Sequence, residues 1–216
     1  MIGTTSWIIQ GTYLENVEYI TKNFSQIHFI ELLIYTWDAD TYNLLEKEKK
    51  YLQKLAETKQ IRYTVHLPTD NVYNIIRAFE YLEDALEIEN YVVHPFFDDF
   101  ESEEMKKLLL HRKISFENLK EKFVHHERTV FDIGHHLLGK AVDDKFLESV
   151  VEIHLMGVND EKDHQIVDLE TLQRTYSLLS YKLFTTKYIC FEVFTAEGLE
   201  ESLKVWNEFK RQKWGA

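Results

Sequence analysis

Tyr63-Thr64-Val65-His66-Leu67-Pro68 is a β-branched and aromatic run that ends on a histidine and is stopped by a proline. Upstream, the stretch from Leu44 to Glu57 puts Leu44, Leu45, Leu52, Leu55 and Ala56 on one helical face, with Glu46, Lys47, Lys49 and Lys50 off it. Downstream, Ile75, Ala78, Phe79, Leu82, Ala85 and Leu86 repeat that pattern. This helix–strand–helix order recurs along the whole chain. Strands are predicted at Ile2 to Ser6, His28 to Leu33, Ile61 to His66, Tyr91 to His94, Lys113 to Glu117, Thr129 to Ile133, Val151 to Leu155 and Tyr188 to Val193. Seven are followed by a helical pattern, and the pattern after Thr129 to Ile133 is short. The last helix, Ala196 to Lys213, carries Leu199, Leu203, Trp206 and Phe209 on one stripe.

Parallel strands joined by helices need right-handed crossovers, and eight such units close into a barrel. Dividing 216 residues by 8 gives 27 per unit, about the minimum for a strand, a helix and two loops. The expectation is a compact (β/α)8 TIM barrel forming a single domain over residues 1–216, with an open doubly wound sheet as the alternative.

The composition narrows the partners. No apolar run exceeds four residues, so no segment is long enough for a membrane-spanning helix. Met1-Ile2-Gly3-Thr4-Thr5 has no basic segment leading into an apolar one, and the single cysteine, Cys190, cannot form an intrachain disulfide. Both features fit a cytoplasmic protein. Lys plus Arg is 25 against Asp plus Glu 37, and the resulting charge of −12 repels nucleic acid and anionic lipid. A small-molecule substrate is expected; oligomeric state is not readable.

The informative feature is what ends each strand. Residues two apart share a face, so outward Tyr63 and Val65 leave Thr64 and His66 pointing inward. The same alternation aims Glu31, His94, Glu117, Asp132, His154 and Glu192 into the C-terminal mouth, where barrel enzymes keep their chemistry. Desolvated carboxylates and imidazoles need partners, and a divalent metal relieves such a set most simply. Gly134 lets Asp132-Ile133-Gly134-His135 bend so that Asp132 and His135 face one pocket, and the loop after His154 adds His164. Pro68 and Pro95 stiffen the turns behind His66 and His94. A histidine at one strand end alone is more often a hydrogen-bonded structural group; His28, His111, His125, His126 and His136 are read that way. Glu152 lies one layer below His154, as a residue that orients a ligand. Glu31 reads equally as a structural carboxylate, and Cys190 as a small buried hydrophobe.

Gly3-Thr4-Thr5-Ser6, Ile30-Glu31-Leu32-Leu33, Tyr63 to Pro68, Tyr91-Val92-Val93-His94, Ser115-Phe116-Glu117-Asn118-Leu119, Phe131 to His135, Ile153-His154-Leu155 and Lys162-Asp163-His164 together resemble the xylose isomerase-like, AP endonuclease family 2 superfamily of metal-dependent barrels. Within it they look like the cobamide-remodelling phosphodiesterases, which cut the nucleotide loop of cobamides. The resemblance implies a core metal site of Glu117, Asp132, His154 and Glu192. It implies a second ion on His66 and His94 that shares Glu117. A third would use His135 with a later Asp-x-His pair. Here the pair departs from the pattern, because Lys162 stands two residues before His164; Asp163 or Asp160 would have to substitute.

The implied activity is hydrolysis of a phosphodiester with two or three Zn²⁺ or Mn²⁺ ions per chain. Glu117 and Glu192 would carry the catalysis with Lys162 on a phosphate oxygen, and Glu31, Tyr35 and Trp37 would face the substrate. The alternative is a one-metal isomerase or epimerase of a sugar or sugar phosphate, with Glu117 and Glu192 as paired acid and base and His66 and His94 as substrate contacts. An abasic-site nuclease is disfavoured by the charge, and a binding module without turnover would hold ligand but not convert it.

Overall fold

A computed structural model of the chain describes residues 1–95, 102–159 and 161–214. In chain order the elements are β1 (Ile2–Thr5), α1 (Tyr13–Asn23), β2 (Phe29–Leu33), α2 (Ala39–Lys59), β3 (Arg62–His66), α3 (Val72–Ala85), β4 (Ile88–Val93), α4 (Glu103–Leu109) and β5 (Ile114–Glu117). They continue with β6 (Thr129–Asp132), α5 (Ile133–Leu138), α6 (Asp144–Glu148), β7 (Val150–Leu155), β8 (Gly157–Asn159), β9 (Lys162–Gln165), α7 (Leu169–Leu179), α8 (Lys182–Thr185), β10 (Tyr188–Phe191) and α9 (Ala196–Trp214). Eight of the strands close a parallel barrel in the order β1-β10-β7-β6-β5-β4-β3-β2, while β8 and β9 form a separate antiparallel pair. The doubly wound alternative is thereby excluded.

Local chemistry sets the helix starts. Thr12 and Glu15 form a reciprocal capping box on α1. Asp38, Asn71 and Asp168 each accept a backbone N–H at the start of α2, α3 and α7. Apolar strand residues facing outward, such as Tyr63, Val65, Phe131 and Ile153, join the inner faces of the helices in one continuous shell. Inside the barrel the apolar filling is small: Phe29, Tyr188 and Cys190 form their own cluster. Gly3 makes room for it, since a Cβ there would stand 2.4 Å from the Phe29 ring. The rest of the interior is polar, and that is where the site begins.

Two connections differ from the sequence expectation. No helix follows β5: residues 118–128 run as a loop, with Leu119 N–H donating to the Lys122 carbonyl. Eleven residues are too few for a helix and two turns, and Phe123 instead packs edge-on against Phe146 of α6. After β6, where a short pattern was read, there are two short helices, and Asp132 itself caps the first. Among the described residues no helix is long and apolar enough to cross a membrane.

Candidate metal centre

Successive strands deliver the site. β3 ends on His66, and His94 follows β4. Glu117 ends β5, Asp132 ends β6, His154 is the penultimate residue of β7, and Glu192 follows β10. Asn118 ties two of these strands together: its amide donates to the Asp132 carbonyl at 2.9 Å and its Oδ1 accepts from the Asp132 N–H at 2.8 Å.

Glu117 sits at the middle, 2 % exposed. Its Oε2 lies 3.2 Å from His66 Nε2 and 2.7 Å from His94 Nε2, and those two nitrogens are 3.0 Å apart. The other oxygen, Oε1, lies 3.1 Å from His154 Nδ1, which is itself 3.3 Å from Glu192 Oε1. His66, His94 and Glu117 thus form one potential ligand set, and Glu117, Asp132, His154 and Glu192 a second. One carboxylate serves both, an oxygen for each.

The donor chemistry fits divalent cations. The His66 Nδ1–H donates to the Leu67 carbonyl at 3.1 Å, so on losing its Nε2 proton the ring would turn a lone pair towards Glu117 and His94. Lone pairs and carboxylate oxygens about 3 Å apart suit three atoms on one ion, given metal–ligand bonds of about 2 Å. Asp132 Oδ1 accepts the His135 N–H at 2.6 Å, whereas its buried Oδ2 has no hydrogen-bond partner among the described residues. Such a group is costly to bury unless something else satisfies it.

The electrostatics agree. Burial would raise the Glu117 carboxyl, but His154 and His94 outweigh it and hold Glu117 well below the usual range. Burial, with Glu117 beside it, pushes Asp132 up to about 6. Glu192 is raised well above its ordinary value by burial and by the neighbouring Asp132 and Glu117 charges. Two of the three carboxylates are therefore harder to ionise than usual, a cost that a bound cation would relieve.

Beneath this layer lies a third group, Glu31, Glu152 and His154, each fully buried. His154 Nε2 faces Glu31 Oε2 at 3.3 Å, with neither atom otherwise hydrogen-bonded. Glu152 accepts from Asn90 at 2.7 Å and Thr64 at 3.3 Å, and burial, with Glu31 nearby, raises it to about 8.

The remaining expected site residues divide. His135 stands beside the cluster, its Nδ1–H donating to the Asn118 carbonyl at 2.8 Å, with Glu117 and Asp132 at 3.8 Å. His164, in the left-handed region at φ 55°, places Nδ1 3.6 Å from Glu192 Oε2 and its ring 4.7 Å from Phe194. The Asp163 carboxylate turns to Lys120, 2.7 Å away. Hence His135, Asp163 and His164 do not assemble a third three-ligand group among the described residues, and Asp160 lies outside them. Lys162 is exposed on β9; the ammonium at the rim is that of Lys120, delivered by the helix-free loop after β5 and not singled out in the sequence. Gly134 explains how the β8–β9 hairpin comes so close, because a Cβ there would stand 2.7 Å from Asp163 Cβ.

Among the three residues expected to face substrate, Tyr35 is at the mouth and 39 % exposed. Glu31 is instead sealed under His154, and Trp37 is buried against Tyr81 and Tyr42. Alternation placed Glu31 inward correctly, but one layer too low to reach a ligand in the mouth. Trp7, an exposed aromatic at the mouth, was missed because nothing in its neighbourhood has a metal-site pattern.

No family model matches the chain, and no curated protein matches it. Solved structures do. One described as a D-tagatose 3-epimerase-like protein has a TM-score of 0.71 at 17% identity, over 98% of this chain and 97% of that one. Another, AsfvAP:AG, has a TM-score of 0.67 at 13% identity, over 97% and 98%. At such identities the likeness is one of fold: the whole chain is a barrel of the size and layout of these proteins.

Proposed function

We propose that this chain is a metal-dependent phosphodiester hydrolase built around a two-ion centre, with the nucleotide loop of a cobamide as the substrate to which its sequence resemblance points. The observation that carries the reading is the shared Glu117, whose two oxygens face two separate sets of histidines and carboxylates. Two Zn²⁺ or Mn²⁺ ions there would supply charge to the non-bridging oxygens and make water acidic enough to react near neutral pH.

The chain's own groups do the rest. Glu117, held ionised, keeps His66, His94 and His154 aimed at one point. Burial and the charges of Glu192, Glu31 and Glu117 keep the Tyr35 phenol protonated, so it remains a hydrogen-bond donor at the mouth. His164, at the rim with Nδ1 3.6 Å from Glu192 Oε2, is kept by burial below the usual imidazole range, and its neutral ring would offer a hydrogen bond to the leaving group. Lys120 is paired with Asp163 at 2.7 Å and would have to turn from it to meet an anionic substrate.

A second reading has its own support. The solved structure described as D-tagatose 3-epimerase-like matches almost end to end, and on fold likeness a sugar or sugar-phosphate isomerase or epimerase is the better-supported alternative. It would use one ion in the set of Glu117, Asp132, His154 and Glu192, with Glu117 and Glu192 as acid and base. Elemental analysis joined to a substrate screen separates the two. Two ions per chain with conversion of adenosylcobalamin or simpler diesters to monoesters is the expected result. One ion, no diester cleavage and interconversion of ketoses would overturn it.

A further inference from the structure

His164 is held in an uncommon way. Its backbone is left-handed at φ 55°, which a residue carrying a Cβ keeps only where its surroundings impose it. Its ring lies 4.7 Å from that of Phe194 and its Nδ1 is 3.6 Å from Glu192 Oε2, and that nitrogen is buried without a hydrogen bond among the described residues. The hairpin that carries it has strands of three and four residues in irregular register, too small a pair to hold a shape by itself in water. The place of His164 is therefore set by contacts between the hairpin and the barrel.

Among the described residues, one lysine–carboxylate pair makes such a contact: Lys120 Nζ lies 2.7 Å from Oδ2 of Asp163, the residue before His164. Both partners are braced. Lys120 belongs to the helix-free loop after β5, and its carbonyl accepts the Lys140 N–H at 2.6 Å. Two residues earlier, the Asn118 carbonyl takes the His135 Nδ1–H at 2.8 Å. The Asp163 side chain is only 16 % exposed, and its Oδ1 lies 3.8 Å from His164 Nε2. A carboxylate so enclosed needs a cation beside it, and the Lys120 ammonium is closer to it than the His164 ring is.

We propose that Lys120 is a positioning residue: through Asp163 it fixes the hairpin so that the His164 ring stays on Phe194, beside Glu192, at the edge of the ion centre. The lysine remains on Asp163 when ligand is bound and does not itself meet the ligand's anionic group. What His164 then does to a substrate rests on the hydrolase reading above; its placement does not.

The test is a double-mutant cycle on the Zn²⁺-loaded full chain, with Lys120→Met, Asp163→Asn and the two together. The His164 ring resonances, assigned by their loss in His164→Gln, carry the ring-current shift of Phe194. They should move by the same amount in all three variants and return in Lys120→Arg, while zinc bound per chain and the His154 signals stay as in the wild type. Turnover of bis(p-nitrophenyl) phosphate should fall about tenfold in kcat, with KM little changed, in each variant alike. His164 signals that stay in place in Lys120→Met would overturn the proposal. So would additive effects in the double variant, or a loss confined to KM that Asp163→Asn does not share, since either makes Lys120 a direct contact for the anion. Loss of zinc with the lysine would overturn it as well, by tying the pair to the ion centre. If circular dichroism shows that Lys120→Met does not fold, Asp163→Asn and Lys120→Arg decide the matter from the same signals. Failure of the hydrolase reading would look different: the wild type would cleave no diester, and the His164 signals would still decide the placement.

Discussion

The two ends of the barrel treat buried charge in opposite ways. At the N-terminal end, Glu89 and Glu83 meet cations or a hydroxyl. Glu89 accepts from Tyr188 at 2.7 Å, pairs with Lys187 at 3.2 Å and also meets Arg62, while Lys113 covers Glu83. Arg128 reaches inward to Asn90 at 2.7 Å. At the C-terminal mouth, Glu31, Glu117, Asp132 and Glu192 are packed together, and the ionisable groups paired with them in the described residues are histidines, with the Cys190 thiol also donating to Glu31. Among the described residues, Arg128 Nε is unpartnered at the first end, whereas the mouth leaves Glu31 Oε2, Asp132 Oδ2, His154 Nε2 and His164 Nδ1 without a hydrogen bond. Carboxylate and imidazole atoms are thus left unmet at the face where barrels of this architecture carry their chemistry.

That contrast can be broken most sharply at Glu117. Glu117→Gln should lower the number of ions held per chain and reduce turnover by at least about 100-fold, and it should also destabilise the metal-free protein, because His154, His94 and His66 lose the anion packed against them. Unchanged ion content in a folded Glu117→Gln protein would remove Glu117 from both potential ligand sets. Next in size is a pH effect. Asp132, raised to about 6, and Glu192, also raised, must be ionised before a cation binds. Metal affinity should therefore fall as pH drops below about 6, by roughly tenfold per pH unit for each proton displaced, and a pH-independent affinity would remove the carboxylates from the ligand set.

Glu31→Gln sharpens the comparison one layer down. With the Glu31 oxygen no longer an anionic partner for His154 Nε2, metal affinity should weaken about 10- to 100-fold with the fold retained. The smallest effect belongs to the other end. Glu89 is held at about 2; burial works against this, and Tyr188, Lys187 and Arg62 outweigh it. Its contribution to stability is present above its ordinary value near 4.5 and is lost as pH falls towards 2. Glu89→Gln should cost no more than about 1 kcal/mol at pH 7, flatten the acid limb of the stability curve, and leave metal binding unchanged.

The strand pattern was readable because period two and period 3.6 are properties of single segments. His66, Glu117, Asp132, His154 and Glu192 announced themselves by ending such segments on an inward-facing position. What escaped notice depends on contacts across distant parts of the chain. Lys120 faces Asp163 because a loop lacks its helix, and neither residue carries that information alone. The depth of Glu31 depends on how the strands of the closed barrel are staggered, which alternation along one strand does not report. Trp37 and Trp7 are alike as letters, yet one is sealed between two tyrosines and the other lies at the mouth.

The shared carboxylate also constrains how such a barrel can change over evolutionary time. A substitution at residue 117 would touch both potential ligand sets, so neither could be retired there alone. His66 and His94 belong to one set only. Lineages that exchange a two-ion chemistry for a one-ion chemistry have those two positions as the available route, and the four-residue set on Glu117, Asp132, His154 and Glu192 is what they would inherit intact.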